Sequence, residues 1–327
     1  MRPDLTIAIP TYNRAKKLSD CVRTVIEYSK GKNIEIIISD NASTDNTRLI
    51  VNKLIELLPT IKYFRNKENL GFDGNFLNCF EKATGKYIWI LSDDDVLLPG
   101  AIESVMQGLK KNPVCMHLNS STLKKEEPVV VGKARFKEEG LKIFLDKNEF
   151  VERIGIYCTF ISSIIFDLDI VRNIPNKERY FGTNILQSHI LFETMNNDGI
   201  YLINTYNCIA ARDNTSVKYD VLKTWVKNYS ELFLNTAKEC GFDDERMNEV
   251  LRIGLSTTVY EFILGFRQTC ANENEWDREC IWPYIERYPE IIDKYKTAVY
   301  CPISKLKRIY YIYKIRNKFN SIFGVKR

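Results

Sequence analysis

An α/β fold built on a mostly parallel sheet, followed by a separate helical region, is what this sequence predicts. Three observations carry that reading. From Leu5 to Leu91, short runs rich in β-branched residues alternate with amphipathic helical patterns, as in successive βαβ units. One run, Tyr87-Ile88-Trp89-Ile90-Leu91, is apolar without a break, as expected of a strand buried on both faces. Beyond about Val221 the pattern changes to long helical stretches such as Leu222 to Cys240 and Asp244 to Cys270. The predicted boundaries are a first domain over 1–217 and a helical region over 218–327.

In chain order, Leu5 to Ile9 reads as a strand, Ala15 to Ser29 as a helix with Leu18, Val22, Val25 and Ile26 on one face, and Ile34 to Ser39 as a second strand. Thr44 to Leu58 is a helix with Asp45 in its first turn, where a negative charge suits the dipole, and Pro59 just past its end. Ile61 to Phe64 is a short strand, and Asp73 to Ala83 a helix that stops before Gly85. Val114 to Leu118, the apolar run Phe160 to Phe166 and Tyr206 to Ala211 are further strand-like segments.

Composition bounds the class. The chain has 327 residues, 45 % apolar and 27 % charged, enough for a substantial core. Its nine cysteines are scattered and never spaced C-x-x-C, which argues against a disulfide framework or a zinc site and for a reducing cytosol. No secretory signal and no apolar stretch of membrane-spanning length are visible. Ten of the 47 Lys and Arg lie from Lys294 onward, where there is no Asp or Glu, leaving 37 against all 42 acidic residues before them. A mildly acidic body with a basic tail argues against nucleic acid as partner.

Polar clusters follow the strands: Pro10-Thr11-Tyr12-Asn13-Arg14, Asp40-Asn41-Ala42-Ser43-Thr44-Asp45, and Ser92-Asp93-Asp94-Asp95. The carboxyl ends of strands in open α/β sheets form the ligand crevice, so three clusters point to one site. Two carboxylates about 4 Å apart repel by roughly 4 kcal/mol at an effective dielectric near 20. Adjacent Asp side chains at the end of a buried strand therefore either splay into water or share a hard divalent cation. No G-x-G-x-x-G follows the first strand and no G-x-x-x-x-G-K-[ST] occurs, which removes the common dinucleotide and P-loop readings.

Ile9-Pro10-Thr11-Tyr12-Asn13-Arg14, Ile37 to Asp45, Asn69-Leu70-Gly71 with Asn75 and Gly85, and Leu91-Ser92-Asp93-Asp94-Asp95 together resemble the successive motifs of family 2 glycosyltransferases with the GT-A fold, over roughly residues 4 to 215. The resemblance implies an inverting transfer from a nucleoside diphosphate sugar to a glycan or lipid-linked acceptor in bacterial surface polysaccharide synthesis. It puts Pro10, Tyr12, Arg14, Asp40, Asn69, Asp93 and Arg212 at the nucleotide sugar, with Tyr12 offering a ring to stack on, Asp40 an acceptor for a base N–H, and Arg212 closing over the diphosphate. It puts Mn²⁺ or Mg²⁺ on Asp94, with Asp95 joining the ion or orienting Asp94. The family's D-x-D carries Ser92 here in place of its first Asp.

The base is the weakest match. Counting back from Gly199 to the position of the family's Glu-Asp pair reaches Gln187-Ser188-His189. His189 is then the nearest titratable group, with Glu193 one turn on as its partner or replacement; Asp167, Asp169 and His117 are remoter. A nucleotidyltransferase would need a Gly-bearing loop after the first strand, and Pro10 to Arg14 has none. A non-catalytic nucleotide-sugar-binding subunit stays open. The tail, Ser304 to Phe323, sets Leu306, Ile309, Tyr310, Tyr313, Phe319 and Phe323 among Lys and Arg. It reads as an in-plane helix on an anionic membrane, making the protein peripheral at the cytoplasmic face.

Overall fold

Strand β1 (Leu5–Thr11) is the axis of the sheet, buried along nearly its whole length. It pairs in parallel with β2 (Ile34–Asp40) on one side and β4 (Tyr87–Ile90) on the other, so that Ala8 lies between Ile37 and Ile90. This register lines up the carboxyl ends of three strands. The computed structural model describes residues 2–126, 129–212 and 218–323, without the side chains of the last eight.

The sheet runs β3-β2-β1-β4-β9-β6-β10-β5, where β3 is Lys62–Arg65, β5 Val96–Leu97, β6 Cys115–Lys125, β9 Ile164–Asp167 and β10 Tyr201–Ala211. Two short strands, β7 (Val130–Val131) and β8 (Leu141–Phe144), pair with β6 and β10. The predicted parallel arrangement describes the β3-β2-β1-β4 half. Beyond it, β9 is antiparallel to both β4 and β6, and only β6 with β10 is parallel. The chain enters β9 from Ser162, whose carbonyl accepts from the Trp89 indole (2.7 Å). It therefore starts at the carboxyl end of β4 and runs back down the sheet antiparallel to it.

Helices α1 (Ala15–Ser29), α2 (Thr47–Leu57) and α3 (Gly71–Lys82) connect the parallel strands. α2 starts three residues later than the sequence predicts. The N–H groups of Thr44 and Asp45 donate to the Asn13 side chain (2.7 and 3.3 Å), and Asp45 then accepts from Thr47 N–H (2.9 Å). α4 (Ala101–Leu109), α5 (Lys147–Ile154), α6 (Leu168–Asn173) and α7 (Leu186–Thr194) complete the set. Asp167 caps α6 through Asp169 and Ile170 N–H.

The chain divides into two compact units, residues 1–213 with 239–243, and residues 214–238 with 244–327. The second is helical, with Asp244–Gly254, Tyr260–Thr269, Pro289–Tyr300 and Ile303–Phe323, and π-helical turns at Lys223–Asn228, Leu232–Thr236 and Leu255–Val259. Its buried Arg267 donates to Glu273 (3.0 Å) and to the carbonyls of Ala298 and Cys301. The tail helix packs inward with much of the face that the sequence assigns to a membrane. Leu306 is fully buried, Tyr313 donates to the Thr257 carbonyl (3.2 Å), and its ring lies 5.3 Å from that of Tyr260. Tyr311, Ile312 and Ile315 are exposed instead. The side chains of Phe319 and Phe323 lie outside the described residues. No described helix is long and apolar enough to cross a membrane.

Near the start of β2, Glu35 is buried and accepts from Thr6 Oγ1 (2.5 Å), Lys62 Nζ (2.5 Å), Thr84 N–H (2.7 Å) and Thr84 Oγ1 (2.8 Å). Burial would raise its pKa, but these donors together outweigh burial and hold it below the usual value. Glu35→Ala is expected to cost about 1–3 kcal/mol in urea unfolding near pH 7. Because the folded pKa is depressed, the wild-type advantage is present above about pH 4.3 and fades as pH falls further, so the two stability curves converge in acid.

Candidate active site

The three carboxylates after β4 are all buried, with Asp93, Asp94 and Asp95 at 4, 6 and 3 % exposure. Asp93 accepts from Thr11 Oγ1 (2.6 Å) and from Arg14 Nη1 (3.0 Å). Asp94 accepts from Ser92 Oγ (2.6 Å) and, on its other oxygen, from Arg14 Nη1 (3.1 Å), with Lys17 Nζ 3.5 Å away. Asp95 accepts from Ser162 Oγ (2.6 Å) and from the Arg212 N–H (3.1 Å). The end of β4 is thus tied to the loop after β1, to the segment before β9 and to the end of β10. Burial pushes the Asp93 carboxyl up, opposed by Arg14 and Thr11. Burial, reinforced by Asp94, pushes Asp95 up to about 7, with Ser162 pulling the other way.

The loops after β1 and β2 are knitted together. Asn13 sits at φ 53° and donates its N–H to Ser43 Oγ (2.9 Å), and Asn41 N–H donates to the Thr11 carbonyl (2.9 Å). Tyr12, 43 % exposed, projects from this junction. Pro10 is the penultimate residue of β1, opposite Ser39.

Asp40 is fully buried. Its oxygens accept from Ser43 N–H (2.8 Å) and the Tyr63 hydroxyl (2.6 Å), with Arg65 3.5 Å away. Its carboxylate closes the turn after β2. Asn69 accepts from Asn41 Nδ2 (2.7 Å) and from Gly71 N–H (2.9 Å), fixing the turn where Gly71 takes φ 73°. The Arg212 guanidinium, 12 % exposed, is turned to Asp20 (3.1 Å) and Glu126 (3.2 Å).

The first turn of α7 meets the segment before β9. Gln187 donates to the Thr159 carbonyl (2.6 Å), just before Ser162, and its Oε1 is buried without a partner among the described residues. His189, 4 % exposed, stacks on Tyr180 at 4.3 Å. Burial, with Arg179 adding to it, pushes it down to about 3, so the ring is neutral and holds a proton weakly. Glu193 accepts from Tyr180 (2.6 Å) and Arg179. It lines a hollow of about 310 Å³ with Asp169 and Asn173. Asp169 pairs with Arg2, and Asp167 lies opposite Tyr87 at the start of β4. The geometry therefore corrects the sequence expectation. Glu193, Asp167 and Asp169 belong to the amino-terminal edge of β4, while Asp93 to Asp95 follow its carboxyl end. His117, 2 % exposed, is a core residue against Ser163 (3.1 Å).

With this geometry in place, the comparisons are direct. The model of "Glycosyl transferase family 2" matches residues 6–170, half of the chain. The chain belongs to this family. It is similar to the GalNAc(5)-diNAcBac-PP-undecaprenol beta-1,3-glucosyltransferase of Campylobacter jejuni, 36 % identical over 38 % of this chain and 40 % of that protein. It is also similar to the abequosyltransferase RfbV of Salmonella typhimurium, 29 % identical over 61 % of this chain and 63 % of that protein. The chain thus spans less than two thirds of either curated relative. The crystal structure of S. aureus TarS 1-349 in complex with UDP-GlcNAc shares the fold, with a TM-score of 0.62 over 90 % of both chains at 13 % identity. This family member therefore has the GT-A fold that its motifs imply.

Among the described residues no group of three or more His, Cys, Asp or Glu is arranged to hold a metal ion. The chemistry of Asp94 still fits a hard divalent cation. Among the described residues its Oδ2 meets Arg14 and Lys17, whose long side chains are 39 and 41 % exposed and can withdraw. Sequence reasoning missed Thr11, Lys17 and Ser162 as partners of the acids. The signal for Ser162 was a polar Ser-Ser pair inside the apolar run Phe160 to Phe166. Because the folded pKa of His189 lies near 3 and the unfolded one near 6.5, stability is expected to drop as pH falls between those values, by up to about 1.4 kcal/mol per pH unit. His189→Gln should flatten that part of the curve, as read by thermal unfolding from pH 7 to 4.

Proposed function

We propose that this chain is an inverting glycosyltransferase that moves a sugar from a nucleoside diphosphate donor to a hydroxyl of a glycan or lipid-linked oligosaccharide in bacterial surface polysaccharide synthesis. The observation that carries the reading is the clasp of Thr11 and Arg14 on Asp93 and Asp94, which joins two polar strand ends in one crevice. The family and the activities named for the two curated relatives support it. Residues 1–217 would form the catalytic domain and 218–327 a helical accessory region.

In this reading the exposed Tyr12 ring stacks on the base, and Asp93 faces the ribose. Asp40 and Asn69 act from behind by holding the loops. Arg14 and Lys17 exchange carboxylate partners for diphosphate oxygens as donor enters. Asp94, backed by Asp95, would hold Mn²⁺ or Mg²⁺, which when bound supplies positive charge to the departing diphosphate. The exposed Tyr311, Ile312 and Ile315, with Lys305, Lys307 and Arg308, would rest on an anionic membrane at the cytoplasmic face.

A second reading, a nucleotide-sugar-binding subunit without turnover, is favoured by one observation: the first turn of α7 carries Gln187 and Ser188 and no carboxylate. A panel of nucleotide sugars, with and without Mn²⁺, separates the two. Transfer or slow donor hydrolysis is expected, falling about 100-fold or more in Asp94→Asn. An undiminished rate in that variant would remove Asp94 from the mechanism, and tight donor binding without turnover would favour the second reading. Truncation after Pro302 is expected to abolish co-sedimentation with phosphatidylglycerol vesicles; full retention would refute the membrane contact.

A further inference from the structure

A hollow of about 380 Å³, remote in sequence from the strand-end clusters, is lined by Arg135, Phe136, Lys137, Glu138, Lys142 and Arg153. Four of these are cations and one is an acid. Glu138 is largely exposed and pairs with Lys142 (3.1 Å), so the lining keeps a net charge near +3. Arg153 and Lys137 form no ion pair among the described residues.

The cationic wall is built rather than incidental. The Arg135 guanidinium lies 3.8 Å from the Tyr157 ring centre and 4.8 Å from that of Phe136. Its Nη2 donates to the carbonyls of Arg153 (3.0 Å) and Ile154 at the end of α5. The Arg153 guanidinium sits 5.1 Å from the same Phe136 ring. Phe136 is itself fixed, its N–H donating to Asn119 Oδ1 (3.0 Å) and its carbonyl accepting from Asn119 Nδ2 (2.9 Å). Both guanidinium groups lie against one buried ring. Planar forks held in place by stacking suit a phosphate better than flexible ammonium groups do.

The location indicates which phosphate. The nucleotide loops follow β1 and β2, on one side of β4. The hollow belongs to the other side: Arg135 N–H donates to the Ser120 carbonyl of β6 (3.2 Å). Tyr157 lies in the turn Gly155–Thr159, which leads directly to the Ser162 that holds Asp95. A net charge near +3 matches a diphosphate better than a single carboxylate or phosphodiester.

We infer that this hollow is an anion subsite for the diphosphate of a lipid-linked acceptor. The inference rests on the transferase reading above, and the test keeps the two apart. Binding of inorganic pyrophosphate to the full chain is measured by calorimetry for wild type, for Lys137→Ala/Arg153→Ala, for Arg153→Glu and for Arg14→Ala, a change confined to the donor crevice. The expected result is at least a tenfold weaker affinity in both hollow variants, with Arg14→Ala leaving the hollow's binding step in place. Thermal midpoints check that the variants fold, which the exposure of Lys137 and Arg153 favours. Equal pyrophosphate binding by wild type and both hollow variants overturns the proposal. The source of the phosphate is read from the KM for a polyprenyl diphosphate-linked sugar in detergent micelles. A rise of tenfold or more in the hollow variants assigns the site to the acceptor, and an unchanged KM alongside lost pyrophosphate binding overturns the acceptor assignment in favour of free pyrophosphate. If wild type transfers to no acceptor while the binding loss persists, the transferase reading has failed and the anion site has not.

Discussion

Three adjacent carboxylates buried at the end of a fully buried strand are the constraint around which the first unit is arranged. Nothing in the strand itself can stabilise them, so each must be met by an element from elsewhere in the chain. Thr11 and Arg14 come from the end of β1, Ser162 from the entry to β9, and the Arg212 N–H from the end of β10. The acids are thus junctions between segments far apart in sequence, held by hydrogen bonds that are strong because one partner is charged and water is excluded. Removing one partner leaves a buried charge short of donors, a larger loss than the bond alone.

Around this centre, polar side chains are used mainly for construction. Asn41, Asn66, Asn69 and Asn75 form one connected set between β2 and α3. In it Asn75 accepts from Ser39 Oγ (2.8 Å) and Asn66 donates to both Asn41 and Asn75. A crevice that must accept a flexible ligand needs rigid rims. An exposed aromatic ring, Tyr12, and two long, partly exposed cations, Arg14 and Lys17, stand on such a rim.

How much of this was legible in the sequence depended on the range of the interactions. α1 and the strands from Leu5, Ile34 and Tyr87 follow from local periodicity, and the convergence of three polar clusters follows from parallel connection alone. The antiparallel course of β9 does not, because a four-residue apolar strand carries no record of direction. Asp40 illustrates a second limit: a carboxylate capping a turn and one awaiting a ligand look alike until Tyr63 and Ser43 are placed beside it. Glu193 illustrates a third. Its spacing from His189 is correct for one helix face, yet the helix carries it away from the site. The tail helix was legible as amphipathic, but not that Tyr260 and Thr257 would claim its aromatic side.

The reversal of direction at β9 has an evolutionary consequence. The loops after β1 and β2 belong to parallel strands on one flank of β4, and everything entering through β9, β6 and β10 lies on the other. The two flanks meet at β4 and the carboxylates at its tip, and Arg212 with Asp20 and Arg2 with Asp169 tie them at further points. Substitutions and insertions on the β6–β10 flank that keep Ser162, Asp169 and Arg212 in place can therefore accumulate with little disturbance of the loops of β1 and β2. An ancestor with one donor pocket could in this way give rise to descendants that decorate many different acceptors.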